Sequence, residues 1–340
     1  MEKSHSESLA AAEKELENRP LNERLTKKMS EHRVQVAVIG AAVLVFGTFM
    51  VLSPAVFLRP RIYVAFLSTA PFFGIMALGL TLILVSKQID LSFPSTMALG
   101  AFVSASIFAA TDSLLLGMLG GMLVGAAVGV LNGILVTKVG IPSIIATLGM
   151  MFALRGAVHV LSDGMSISLT ALSGSPLRNV FVGMSPIGIP AQSLWFIGIA
   201  VLLWFLLFRH KFGDHVLFTG DNESAAQMMG VNTDLTKTLV FVILGVLAAF
   251  AGVLDSLRML RWFPTLGEGY LLMTFGAVFV GGTSMFGGAG TIFGTFIGTF
   301  LVGSLEAGVI AAGLAGFWTR LFVGVLILVA VTIHALLSRR

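Results

Sequence analysis

Four ionisable residues lie inside long apolar stretches of this sequence: Asp90, Arg155, Asp255 and Glu306. A charge at the centre of a bilayer costs about 2.5–3.5 kcal/mol on insertion scales, so such a residue pairs, reaches the interface or faces a wet cavity. Asp90 follows Lys87 by three residues, which allows a local ion pair, and Arg155 has His159 one helical turn on. Read as a series, Asp90, Arg155 and Glu306 could relay protons in a secondary carrier. The structural alternative is an interhelical pair or, for Asp255 and Lys87, a helix-end charge extending to the interface. Other chemistries are absent from the sequence. There is no G-x-x-x-x-G-K-[ST] phosphate loop, so ATP has no usual cradle here. The six histidines (5, 32, 159, 210, 215, 334) are scattered, with no H-E-x-x-H pattern, and no Gly-x-Ser-Gly lies in an apolar stretch beside a histidine. Zero cysteines exclude disulfides, iron–sulfur clusters and thiolate metal sites. The residue inventory therefore points away from an enzyme.

The elements that must hold these residues are membrane helices. Hydrophobic residues make up 56% of the 340 and charged ones 11%, against roughly 25% charged in a soluble domain. The apolar residues come in continuous Leu/Val/Ala/Gly-rich blocks of about 20, the length that crosses a hydrocarbon core of about 30 Å. They show no dyad alternation, and backbone groups in lipid must be satisfied within a segment, so the blocks are helices rather than barrel strands. Candidate spans are 34–52, 62–86, 95–111, 113–137, 141–161, 193–208, 238–257, 269–287, 289–312 and 317–337. The expected fold is an all-α polytopic bundle of about ten transmembrane helices with a weak internal repeat. Glycines spaced by four, at Gly117, Gly121, Gly125 and Gly129 and at Gly290, Gly294 and Gly298, predict close helix packing.

Charge sets the topology. With the N-terminus inside, fourteen Lys/Arg lie on the cytoplasmic side and six outside, which favours both ends in the cytoplasm. The net charge of +4 is a topology signal, not a nucleic-acid footprint, because the bases are dispersed between apolar blocks. Residues 1–33 read as a polar cytoplasmic tail before an uncleaved first anchor, and 34–340 as the transmembrane domain. Residues 162–192, with only Asp163 and Arg178 charged, suit an external loop. Residues 209–237 form the largest internal polar segment. There Asp221 or Asn222 can cap a short helix over Glu223–Met229, closed by Gly230, whose Ala225, Ala226, Met228 and Met229 make an apolar face. The repeat overlays Lys87-Gln-Ile-Asp90-Leu-Ser-Phe-Pro94-Ser on Gly281-Gly-Thr-Ser284-Met-Phe-Gly-Gly288-Ala, each a break before a glycine-spaced helix. Paired breaks of this kind point to a transport site.

Four ordered stretches, from about residue 60 onward, resemble the permease subunits of bacterial ribose-, xylose- and autoinducer-type ABC sugar importers. They are Ala77–Phe93, with its Ile89-Asp90-Leu91-Ser92 run; Gly129–Gly156; Gly220–Val231; and Pro264–Thr295. Lys87-Gln88 stands where the family has Gly-Gly, and Phe93-Pro94 where Val-Gly is common. The resemblance implies a multi-pass protein of the bacterial inner membrane that pairs with a second permease subunit, identical or not. Two ATPase subunits, which bind ATP and Mg, would dock from the cytoplasm, and a periplasmic binding protein would deliver solute. It implies no cofactor on this chain and no nucleic-acid partner. The 209–237 loop would then couple to the ATPase through Gly220, Asn222, Glu223, Ala225, Ala226, Met229 and Gly230. A neutral sugar needs few charges along its way, so Ser92, Asn132, Thr147, Thr283 and Ser284, with Asp90, Arg155 and Glu306, are the candidate path residues. A branched-chain amino-acid permease and a proton-coupled carrier are the alternatives.

Overall fold

A computed structural model describes residues 33–311, 313–315 and 317–338. The expected tail thus lies outside the described residues apart from Arg33. The long elements are α1 (Arg33–Leu52), α3 (Pro60–Val85), α4 (Phe93–Thr111), α5 (Leu114–Thr137), α6 (Ser143–Leu161), α8 (Ala191–Phe208), α11 (Thr233–Met259), α13 (Ile292–Ala311) and α14 (Trp318–Ser338). Between them come α2 (Pro54–Phe57), α7 (Pro176–Val182), α9 (Lys211–Asp221), α10 (Glu223–Met228) and α12 (Tyr270–Val280). Among the described residues, seven helices are long and apolar enough to cross a membrane, and shorter apolar helices cover Val38–Leu52, Tyr270–Val280 and Trp318–Val329. These match the ten expected blocks. One is cut short: the block at 269–287 is helical only to Val280, because Gly281 and Gly282 open a turn there.

Helix α3 is the axis of the bundle. It is apolar all round, and an all-round apolar helix must be enclosed on every side; from Ala70 to Val85 every residue is buried. Pro71 interrupts it and leaves Leu67 C=O without its usual N–H donor. The start of α8 repairs the gap, since Ser193 Oγ donates to Leu67 C=O and Gln192 Nε2 donates to Ser68 C=O. No water is available in lipid to do this, so a neighbouring helix must. The glycine ladder of α5 packs as expected: Gly117 and Gly121 lie against Ser104 and Gly100 of α4, while Gly125 and Gly129 lie against Gly245 and Phe241 of α11.

The contacts fix directions. Helices α4 and α11 run parallel where Met97 and Ala101 meet Gly252, and α5 runs antiparallel to both. The bundle therefore has one end at α9–α10 and an opposite end at Met259. At that opposite end the 162–192 loop adds a strand β1 (Ile167–Ser168), which pairs antiparallel with β2 (Arg261–Trp262). The polar loop is shorter than expected, because α11 begins at Thr233 with Asn232 as its cap and absorbs the last five residues of 209–237.

Candidate solute path and coupling site

The chain leaves α3 through a left-handed turn. Lys87, at φ 60°, is its pivot, with Lys87 N–H on Leu84 C=O and Gln88 N–H on Ile83 C=O. That is the Schellman arrangement, whose pivot favours glycine, and it explains why Gly-Gly suits this place. Residues 88–92 then run extended beside α5 and α6, and side chains satisfy the backbone. Ile89 N–H donates to Ser143 Oγ at 3.1 Å, Leu91 N–H to Thr147 Oγ1 at 3.1 Å, and Ser92 N–H to Asp90 Oδ1 at 2.6 Å. Ser92 Oγ donates to the same oxygen at 2.7 Å, and Asn132 Nδ2 reaches Asp90 Oδ2 at 3.3 Å and Ser92 Oγ at 2.9 Å. Four of the sequence-chosen path residues, Asp90, Ser92, Asn132 and Thr147, thus meet in one network, none of them more than 3% exposed. The expected Lys87–Asp90 ion pair does not form; the left-handed turn carries Lys87 away, and it stands exposed. Chemically, the carboxylate here is an acceptor that pins an irregular backbone.

A second extended entry was not expected from the sequence. After Leu260, at φ 53°, the chain reverses and runs back along α4: Trp262 Nε1 donates to Ala98 C=O at 3.0 Å, and Gly267 lies against Pro94 C=O. Arg155 on α6 holds this segment. Its Nη1 donates to Pro264 C=O at 2.7 Å and Leu266 C=O at 3.0 Å, and Nη2 donates to Pro94 C=O at 3.3 Å. One guanidinium therefore joins the start of α4 to the turns that lead into α12. Its five donors in a fixed fork suit that task, and a lysine's point charge does not. The signal in the sequence was Pro264 with Gly267 and Gly269, a turn composition inside an apolar stretch.

The two segments overlaid as a repeat also meet, at the α9–α10 end. Gly288 N–H donates to Val85 C=O at 2.9 Å. Ser284 N–H donates to Ala289 C=O, and Ser284 Oγ accepts from Phe286 N–H, which closes the 281–291 turn; Thr283 is buried beside Gly290 with its Oγ1 unpartnered. Gly220, near the end of α9, packs against both Val85 C=O and Gly288 N, and a Cβ there would overlap Val85 C=O. Asn222 Oδ1 then caps α10 by accepting from Ala225 N–H at 3.0 Å, and Gly230 turns the chain at φ 84°. Glu223 accepts from Lys237 Nζ, which ties α10 to α11. Ala226 points inward at 0% exposure, so the apolar face expected of this helix is narrower: Ala225, Met228 and Met229 are exposed, Met228 at 90%.

Glu306 sits apart from all of these. It lines a cavity of about 630 Å3 at the opposite end, with Thr69, Arg258, Glu268, Tyr270 and Arg320. Asp255 lies behind it, with Tyr270 Oη donating to Asp255 Oδ2 at 3.1 Å.

A family model described as "Branched-chain amino acid transport system / permease component" matches residues 62–331. The ribose import permease of Bacillus subtilis is 37% identical over 282 residues, covering 83% of this chain and 86% of that protein. The D-allose transport system permease of Escherichia coli is 32% identical over 304 residues, 89% of this chain and 91% of its own length. The autoinducer 2 import system permease of Photorhabdus laumondii is 30% identical over 308 residues, with 88% and 89% covered. No solved structure matches. The match spans all three breaks and the α9–α10 segment, and the chain belongs to the branched-chain amino acid transport system permease family.

Proposed function

We propose that this chain is the membrane-spanning permease subunit of an ATP-binding-cassette importer for a monosaccharide or a related small polar solute. Its relatives are named for ribose, D-allose and autoinducer 2, which favours a polar solute over a branched-chain amino acid. In this reading it works in the bacterial inner membrane beside a second permease subunit, with both termini cytoplasmic, an orientation that the Lys/Arg distribution favours. Two ATPase subunits carrying ATP and Mg dock on α9–α10, and a periplasmic binding protein delivers solute at the opposite end.

The seating of Gly220 against Val85 and Gly288 carries this reading. A polar loop that merely lay on the membrane would need no such fit. A push on α10, through exposed Met228 and Met229, reaches the end of α3 and the 281–291 turn together. From α3 it passes to the Asp90 network, and from the turn along α12 to the 264–269 segment held by Arg155. Packed backbone moves between discrete arrangements rather than deforming smoothly, so a small displacement is passed on. The proton-relay alternative lacks a relay. Asp90 is enclosed by neutral donors, Arg155 is bound to carbonyls, and Glu306 lies in a separate cavity.

The experiment is to replace Met228 and Met229 together with glutamate and purify the chain with its co-encoded ATPase. The expected result is normal membrane insertion with loss of the ATPase from the complex and of uptake. A double variant that still retains the ATPase and transports would refute α10 as the coupling element.

A further inference from the structure

The cavity at the end opposite α9–α10 is lined by two acids and two bases, Glu268, Glu306, Arg258 and Arg320. Glu268, Glu306 and Arg320 are exposed there, and the half-buried Arg258 guanidinium lies 5.8 Å from the centroid of the Phe72 ring. The only salt bridges among the described residues are Lys138–Asp234 and Lys237–Glu223, so none of the four is within ion-pair distance of an opposite charge on another described residue. The walls add hydroxyls from Thr69, Tyr270 and Thr319. Thr319 is 4% exposed and its Oγ1 has no partner, which leaves a buried polar atom unsatisfied at the edge of the cavity. Such an atom costs about 1–3 kcal/mol and calls for an occupant or a water. Phe73 and Tyr270, with centroids 6.3 Å apart and both in the wall, supply flat apolar surface. Behind them Asp255 is 2% exposed and holds the Tyr270 hydroxyl in place, so that side of the site is preorganised. The volume of about 630 Å3 falls in the range of about 300–1,000 Å3 typical of small-ligand sites.

We propose that this cavity binds one neutral polyhydroxylated solute, a pentose or hexose, between its entry at the outer face and its passage through the bundle. The proposal rests on the importer reading above. Hydroxyl groups both donate and accept, so the guanidiniums of Arg258 and Arg320 meet sugar oxygens and the carboxylates of Glu268 and Glu306 meet sugar hydroxyl protons. The aromatic walls cover the C–H face of the ring. Both signs of charge are used, and the site's net charge is zero, which suits an uncharged occupant.

The absence of native cysteine makes a direct test available. Thr69→Cys, a near-isosteric change in the cavity wall, places a single thiol there, and Ser168→Cys in β1 is the control outside it. The complex with its ATPase and binding protein is reconstituted, uptake of D-ribose, D-allose and D-glucose is measured, and a membrane-impermeant maleimide is then applied from outside. The transported sugar at about ten times its Kd should slow labelling of Thr69→Cys about tenfold, because only empty sites react, and should leave Ser168→Cys unchanged. Adding Glu306→Gln, which removes a charge-assisted hydrogen bond and weakens binding about tenfold or more, should reduce that protection to about twofold. Thr319→Cys, on another wall, gives the same readout if Thr69→Cys loses uptake. Uptake without protection at either thiol would overturn the site while sparing the importer reading. Protection by leucine but not by any sugar would overturn the solute class. Absence of uptake for every sugar tested would instead count against the importer reading itself.

Discussion

The two ends of the bundle are built on opposite principles. At the α9–α10 end three segments meet through glycine and backbone: Gly220 against Val85 C=O and Gly288 N, with no room for a side chain. At the other end α3, α11, α12, α13 and α14 stand apart around about 630 Å3, and four charged side chains, three hydroxyls and the Phe73 and Phe317 rings face the gap among Met259, Leu272, Met273 and Val323. A glycine contact transmits displacement because nothing flexible lies between the moving parts. A cavity whose charges form no ion pair with one another leaves their hydrogen-bonding capacity open to a guest. In this account the first end receives force and the second receives solute, and the irregular segments 86–92 and 260–269 connect them.

The sharpest way to break the comparison is to place the same methyl group at each end. Gly220→Ala forces a Cβ into Val85 C=O and should cost about 3 kcal/mol, the upper part of the range for overpacking. Gly303→Ala, in the cavity wall, meets Ala70 Cβ at an ordinary 3.4 Å, and helix propensity should make it neutral or stabilising by up to about 1 kcal/mol. Thermal unfolding of the two variants in detergent compares them directly, and similar shifts would remove the distinction between the ends.

Next in size is the link between the ends. Arg155→Met takes the guanidinium donor from the carbonyls of Pro264 and Leu266 and the second donor from Pro94 in α4, and should cost about 2–3 kcal/mol. Bonds to a charged group are each worth about 1.5–3 kcal/mol, and the relief of no longer burying the charge offsets part of their sum. Arg155→Lys should recover less than half, because an ammonium's three N–H groups lack the planar, two-nitrogen fork that spans Pro264, Leu266 and Pro94. Uptake should fall in the same order as the melting temperature; full recovery by lysine would show that charge alone matters there. The smallest effect is a gain. Lys87→Gly relieves a left-handed residue and should stabilise by about 1 kcal/mol; a loss on that substitution would mean that the lysine side chain, not the turn, is what this position needs.

Much of this architecture is legible in the sequence. The ten apolar blocks follow from length and charge, and the short helix at Glu223 follows from Asn222 and Gly230, whose side-chain cap and positive φ are local. Asp90, Ser92, Asn132 and Thr147 are identifiable as polar residues in apolar surroundings, and they do come together. What is not legible is long-range. Helix propensity carries no sign that Arg155 would reach Pro264, 109 residues on, or that the chain after Leu260 would turn back along α4. The cavity is the clearest case. Its residues come from five helices and the turn before α12, and no spacing rule connects Thr69 to Glu306 or Arg320. Ala226 shows the limit at short range, since a four-residue apolar face cannot reveal which member turns inward.

The measurement closest to the central claim is solute-stimulated ATP hydrolysis coupled to uptake, in liposomes holding this chain with its ATPase and binding protein. The account predicts that one of the sugars raises hydrolysis and accumulates inside, and that Gly220→Ala, where the protein still inserts, leaves basal hydrolysis but no stimulation. Sugar accumulation driven by a proton gradient in the absence of ATP would contradict it.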